Sequence, residues 1–127
     1  MTIKTHPEIS AKWVGEAVEV APGRAAARLQ TADEMSADKK GLVHGGFTFG
    51  LADYAAMLAV NDPHVVLGAA EVRFLAPVKV GELLTARAEV IEEKGKKRMV
   101  QCSVSSDRVV FNGVFTCFVL EKHILES

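Results

Sequence analysis

Cysteine is scarce in this chain: among 127 residues only Cys102 and Cys117 occur, and they form no CxxC pair. That excludes a disulfide framework and a cysteine-rich metal fold. Both lie in apolar, strand-like runs and read as buried free thiols, which fits a reducing cytosol. Gly and Pro number only ten and four, so no collagenous, low-complexity or linker-like stretch is present. No apolar run reaches the ~20 residues that span a bilayer. An excess of positive charge is missing too. Fifteen basic residues against sixteen acidic leave a net charge of −1, whereas nucleic acid or an anionic membrane as main partner demands a basic surplus. Met1 to Trp13 mixes charges with few apolar residues and carries no secretory pattern. A soluble, cytoplasmic protein with no nucleic-acid and no membrane partner is expected.

Other absences narrow the chemistry. The histidines His6, His64 and His123 stand apart from acids at any metal-ligand spacing, so no metal and no cofactor are expected. There is no Gly-x-Ser-x-Gly elbow and no Cys/His signature, which argues against an acyl-enzyme on Ser or Cys.

What is present suffices for one ordered domain over 1–127. Hydrophobic residues make up 49% and charged residues 24%, enough for a single core. Before Lys12 the chain reads as an irregular or helical lead-in, with Pro7 placed to start a helix. Alternation of apolar and polar residues predicts strands over Trp13–Ala21 and Arg24–Thr31, joined by a Pro22-Gly23 turn. Thr31–Lys40 reads as a polar loop with room for one helical turn. Gly45–Val60 is the only long helical pattern, ended by Asn61-Asp62-Pro63. Phe47, Leu51, Tyr54-Ala55 and Leu58 recur on one face, yet most other positions are small, so the helix is apolar nearly all round and must be wrapped. Strands follow over Val65–Leu75, Leu83–Glu92, Arg98–Ser106 and Val109–Glu121. One helix against six mostly antiparallel strands predicts an α+β fold, a curved antiparallel sheet around one long central helix. A single sheet covers one side of that helix. A homodimer is therefore expected to close the rest, with a homotetramer, a dimer of dimers, left open.

The chemistry gathers at the helix start, in Val43-His44-Gly45-Gly46-Phe47. Glycine there lets another group approach the backbone closely. The first amides of a helix lack intrahelical acceptors and sit at the positive end of the dipole, so they can stabilise a carbonyl oxygen under attack. Asp53 is the only charge from Phe47 to Val60, and a carboxylate on an apolar face is costly unless paired or working. Each feature has a plainer alternative. Asp53 could be a buried structural acid, the Gly pair could serve helix–sheet packing, and His44 at a helix entrance reads better as a structural hydrogen-bonding residue than as a base. The Lys94-Gly95-Lys96-Lys97-Arg98 run reads as a solvated hairpin tip, with contact to a phosphate-bearing ligand as the alternative.

These residues match a known family. The VHGG segment (Val43 to Gly46), the LAD segment (Leu51 to Asp53) and Phe74-Leu75-Ala76-Pro77-Val78-Lys79-Val80-Gly81-Glu82 resemble the hotdog-fold acyl-CoA thioesterases of the phenylacetate-degradation type, over nearly the whole chain from about Trp13. The resemblance implies a hotdog fold and an acyl-CoA substrate. It further implies that the Gly45 amide polarises the thioester carbonyl while Asp53 activates water or attacks directly, with His44 and Gly46 beside the substrate. Eight helical residues separate Gly45 from Asp53 by ~12 Å, too far for both to touch one carbonyl carbon. Antiparallel subunits solve this by bringing Gly45 of one chain to Asp53 of the other, as in the family. Two positions depart from the pattern. Asp38 stands where the family carries Asn or Gln six residues before the His, and Leu67 where Ser or Thr is common. If Asp38 reaches the site it is a second carboxylate near the carbonyl; the alternative is an outward-turned cap. Phe47, Tyr54, Leu58 and Leu67 could line an acyl pocket or be core. Two other functions stay open: a non-catalytic acyl-CoA binding protein, disfavoured because 127 residues leave no room for an output domain, and an acyl hydratase or dehydratase, which the Gly-Gly after His44 fits poorly.

Overall fold

The structure, a computed structural model, describes residues 1–126. Its central element is the helix α2, Gly45–Val60, with the limits that the sequence pattern predicts. Leu51, Ala52, Ala55, Ala56 and Leu58 are wholly buried, because the sheet curls around this helix. Asn61 ends it. In the left-handed conformation (φ 51°, ψ 50°) its amide donates to the Met57 carbonyl, a C-terminal cap that asparagine tolerates better than most residues. Asn61 also accepts from the Lys4 amide (2.7 Å) and donates to the Thr2 carbonyl (2.9 Å), which ties the N-terminal segment down.

The strands are β1 (Glu16–Ala21), β2 (Arg24–Gln30), β3 (Val65–Phe74), β4 (Leu83–Lys94), β5 (Lys97–Ser105) and β6 (Val109–Val119). They form one antiparallel sheet in the order β1-β2-β4-β5-β6-β3. The helix lies mainly across β2, β4 and β5, and the strand that follows it, β3, crosses to the far edge beside β6. This is the hotdog arrangement. Alternation explains the packing: along β5, Val100, Cys102 and Val104 are fully buried while Gln101 and Ser103 are exposed. Both cysteines are free and buried, as the sequence leads one to expect. Among the described residues no helix is long and apolar enough to cross a membrane.

One predicted strand starts late. Trp13 belongs to a short helix α1, Ala11–Val14, not to β1, and Pro7 lies in a turn instead of starting a helix. Gly15 separates α1 from β1 at φ 114°, where a Cβ would meet the Arg28 carbonyl oxygen and Leu51 Cδ1 at 2.8 Å. The apolar alternation continues through this break, so it hides the break. The Thr31–Lys40 loop does hold one turn of 3₁₀ helix, Asp33–Met35.

Candidate active site

Three segments fix the entrance of α2. The Val43 amide donates to the Val78 carbonyl (2.8 Å), the His44 amide to the Met35 carbonyl (2.9 Å) and the Val80 amide to the Gly41 carbonyl (2.9 Å). The Val78 side of this strapping is clamped in turn. Glu82 accepts from the Lys79 amide (2.6 Å), from Ser106 Oγ (2.8 Å) and from the Arg108 guanidinium (2.8 Å), while Arg108 also donates to the Pro77 carbonyl. Arg108 and the Lys79 amide hold the Glu82 carboxyl down at about 2. The Pro77-to-Glu82 motif thus has a physical role: it positions the turn against which Val43 and His44 are hung.

From that anchor the chain enters the helix at Gly45, with His44 extended (φ −60°, ψ 131°). Among the described residues neither the Gly45 nor the Gly46 amide has an acceptor. The two glycines also let exposed side chains lie close over the helix start. A Cβ on Gly45 would lie 3.1 Å from the Phe74 ring, and one on Gly46 would lie 2.9 Å from His44 Nε2. His44 itself is exposed and meets Phe47 edge-on at 6.1 Å. Phe74, on the last residue of β3, carries an aromatic chain inward: its ring meets Phe111 at 5.1 Å, and Phe49 meets Phe115 at 5.6 Å.

Asp53 lies two turns further along. Its Oδ1 is buried with no hydrogen-bond partner among the described residues. Burial pushes its carboxyl up to about 6. Burial first, and then the nearby Asp53 charge, push the Cys102 and Cys117 thiols up to about 12, so the acid sits towards β5 and β6 among groups that stay neutral. On the helix surface Gly46, Gly50 and Asp53 follow at four- and three-residue steps, which puts them on one face. The sheet leaves this face open: Gly46 is exposed, Gly50 and Asp53 half-buried, and a Cβ on Gly50 would meet nothing within 4 Å.

The remaining candidates lie elsewhere. Asp38 is exposed, and its Oδ1 accepts from the Lys40 amide (2.9 Å) and the Leu42 amide (3.2 Å), the cap of its own loop. Leu67 is half-buried on β3, opposite Cys117. Seven strand residues, about 23 Å, separate it from Phe74, so it is remote from Gly45 of its own chain. Tyr54 and Leu58 are core, whereas Phe47 is half-buried against Trp13 at 6.0 Å. Sequence reasoning did not single out Phe74 or Gly50 as parts of the site. The place of Phe74 three residues before Pro77, and of Gly50 one turn before Asp53, are the signals that point to them. Among the described residues no group of three acids, cysteines or histidines is placed to hold a metal.

Comparison with known proteins places this geometry. The sequence pattern described as the Thioesterase superfamily matches residues 40–110. An uncharacterized protein from Pyrococcus horikoshii is 56% identical, with a TM-score of 0.98 over 99% of this chain and 98% of that one. A hypothetical thioesterase from Streptococcus pneumoniae, solved with coenzyme A, shares the fold at 20% identity and a TM-score of 0.79, over 89% of this chain and 91% of that one. Among curated proteins, the methylthioribose-1-phosphate isomerase of Aquifex aeolicus is 50% identical over 95% of this chain but only 27% of its own length. The transcription factor FapR of Caldanaerobacter subterraneus is 30% identical over 98% of this chain and 63% of its own. The chain therefore spans between about a quarter and two-thirds of these two curated relatives.

Proposed function

The chain belongs to the thioesterase superfamily, and from that premise we propose that it hydrolyses acyl-CoA thioesters at a site shared by two subunits. The observation that carries this reading is Asp53, a carboxylate with a buried, unpartnered oxygen on an open face of an apolar helix. A carboxyl held at about 6 is a competent base just above that pH. The thioester oxygen accepts from the Gly45 amide of one subunit. Asp53 of the partner subunit takes a proton from water as its oxygen attacks the carbonyl carbon. The oxyanion then collapses, the C–S bond breaks, and the proton held by Asp53 passes to the coenzyme A sulfur. Products are the free acid and coenzyme A. Asp38 keeps its loop and His44 shields the entrance. Coenzyme A as substrate is supported by its presence in the Streptococcus pneumoniae structure of the same fold. Incubation with a panel of acyl-CoAs is expected to release free thiol from at least one. Absence of thiol across the panel contradicts the reading. Kinship with a transcription factor favours a second reading, acyl-CoA binding without hydrolysis, which the same panel identifies as binding without thiol release.

The second subunit is assigned to the β3 edge. A long open edge strand invites pairing with another strand, and Gly68, Ala69 and Ala70 leave it unobstructed. The two-fold axis has to pass midway between Gly45 and Asp53, about 6 Å along the helix from each. Counting that distance back along β3 from Phe74, about two residues, reaches Val72. Antiparallel pairing centred there sets Glu71 opposite Arg73 of the partner subunit, and Arg73 opposite the partner's Glu71. Neither residue has an ion pair within its own chain among the described residues. Opposed like charges are destabilising across strands. Glu71→Arg alone is expected to weaken the dimer in sedimentation, and Glu71→Arg with Arg73→Glu to restore it. Equal dimer strength in all three proteins contradicts this register.

A further inference from the structure

The basic run at the β4–β5 hairpin tip has no role in the reaction above, and its geometry is that of a site. Arg98 shapes the turn: it donates to the Gly95 carbonyl (2.7 Å) and the Lys97 carbonyl (3.2 Å) and pairs with Glu93 at 3.1 Å. Lys94, Lys96 and Lys97 are left without ion pairs among the described residues. The last turn of the chain folds beside them. The Val119 amide donates to the Lys96 carbonyl (2.8 Å), the Leu120 amide to the His64 carbonyl (3.3 Å) and the Glu126 amide to the His123 carbonyl (2.9 Å). Between tip and turn lies an open cleft of about 410 Å³, walled by Lys96, Leu120, Lys122, His123 and Ile124. Glu121 and Glu126 share it and equal its two lysines in number; the positive excess comes from Lys94 and Lys97 at the same hairpin tip, outside the cleft wall. Ile124, 60% exposed, and Leu120 give it an apolar wall. Cations beside an apolar wall suit a ligand with phosphates and a flat base.

We propose that this cleft holds the adenosine phosphates of a coenzyme A thioester whose carbonyl sits on Gly45 of the other subunit. The inference rests on the shared-site reading and on the β3 register given with it. Antiparallel β3 strands centred on Val72 set Phe74, and with it Gly45, opposite Ala70 of the partner subunit. The partner's His64, where its C-terminal turn is fastened, lies six strand residues or about 20 Å further on. With the sideways offset that follows, the separation is about 22 Å, the order of length of a fully extended pantetheine arm together with its pyrophosphate. The pairing Lys97↔Phe118 puts the tip two strands in from the β3 edge, about 10 Å to the side.

The test compares an acyl-CoA with the same acyl group on pantetheine, which lacks the phosphates. For Lys96→Glu/Lys122→Glu, KM for the acyl-CoA is expected to rise about tenfold or more, as for loss of charge-assisted contacts, with kcat preserved. The acyl-pantetheine kinetics should stay those of the wild type. Lys96→Gln/Lys122→Gln should fall between, which guards against a folding artefact. Equal change, or no change, on both substrates overturns the proposal. So does a loss confined to acyl groups on an acidic carrier protein, which would reassign the patch to protein docking. If the wild type releases no thiol from any acyl-CoA, hydrolysis fails on its own. Calorimetric titration with coenzyme A then reads the cleft directly: about tenfold weaker binding in the Glu variant supports it, while unchanged or undetectable wild-type binding overturns it.

Discussion

Asp53→Asn is expected to lower kcat on the best acyl-CoA by about 10²–10⁴, the usual cost of losing a positioned base, and at the same time to stabilise the protein. Both effects come from one cause. The residue is half-buried, with Oδ1 buried and unpartnered among the described residues, so the charged form is penalised and the carboxyl is pushed to about 6, above its ordinary 3.8. The sign follows from proton binding. Between those two values the folded chain holds a proton that the unfolded chain has lost, so stability falls as pH rises through that window and stays reduced above it. Two pH units of displacement correspond to roughly 3 kcal/mol, and asparagine, which never ionises, escapes that cost. Urea unfolding at pH 8 should place the variant above wild type, and at pH 4 the gap should close. Wild-type kcat should rise with pH through about 6 and level off. Unchanged kcat in a folded, dimeric Asp53→Asn refutes the role of the acid.

Gly45→Pro is expected to lower kcat by about 10²–10³, the loss seen when one oxyanion donor is removed, with a fold that survives. Proline is favoured at the first helical position, where no intrahelical acceptor exists for the missing N–H. The preceding residue, His44, is already extended at ψ 131°, as a residue before proline must be. The added ring atoms press on Phe74, 3.1 Å from a Cβ at this position, but that side chain is 56% exposed and can turn aside. Gly45→Ala separates the two contributions, since it adds the same Cβ and keeps the N–H. Its kcat should stay much nearer wild type. A proline variant as active as the alanine variant contradicts an oxyanion role for this amide.

The fold was legible where periodicity is unbroken. The limits of α2 followed from Gly45-Gly46 at one end and Asn61-Asp62-Pro63 at the other, and an apolar surface all round implied a helix wrapped by sheet. The start of β1 was not legible, because Trp13, Val14 and Ala17 keep alternating through Gly15 while the backbone turns at φ 114°. Strand order was out of reach as well. Nothing local in Val65–Phe74 says that it pairs with β6 and leaves an edge open. At the site, Gly45 and Asp53 stood out because each is locally anomalous, an amide without an acceptor and a charge among apolar residues. Asp38 illustrates the limit. Its spacing to His44 left two readings open, a second acid at the site or an outward-turned cap, because a carboxylate can equally bond amides two and four residues ahead, and in the structure it does. The open face of Gly46, Gly50 and Asp53 depends on where the sheet stops, which only the tertiary structure reveals.

Subunit mixing tests the shared site most directly. Asp53→Ala and Gly45→Pro proteins are each expected to be nearly inactive alone, and exchange between them creates a heterodimer with one intact site and one doubly altered site. At equal amounts half the dimers are mixed, so about a quarter of wild-type activity is expected to return, with the time course of subunit exchange. If exchange is demonstrated by mass and activity stays at the level of the separate variants, Gly45 and Asp53 do not act across the interface, and the account of a site built by two copies of this chain is wrong.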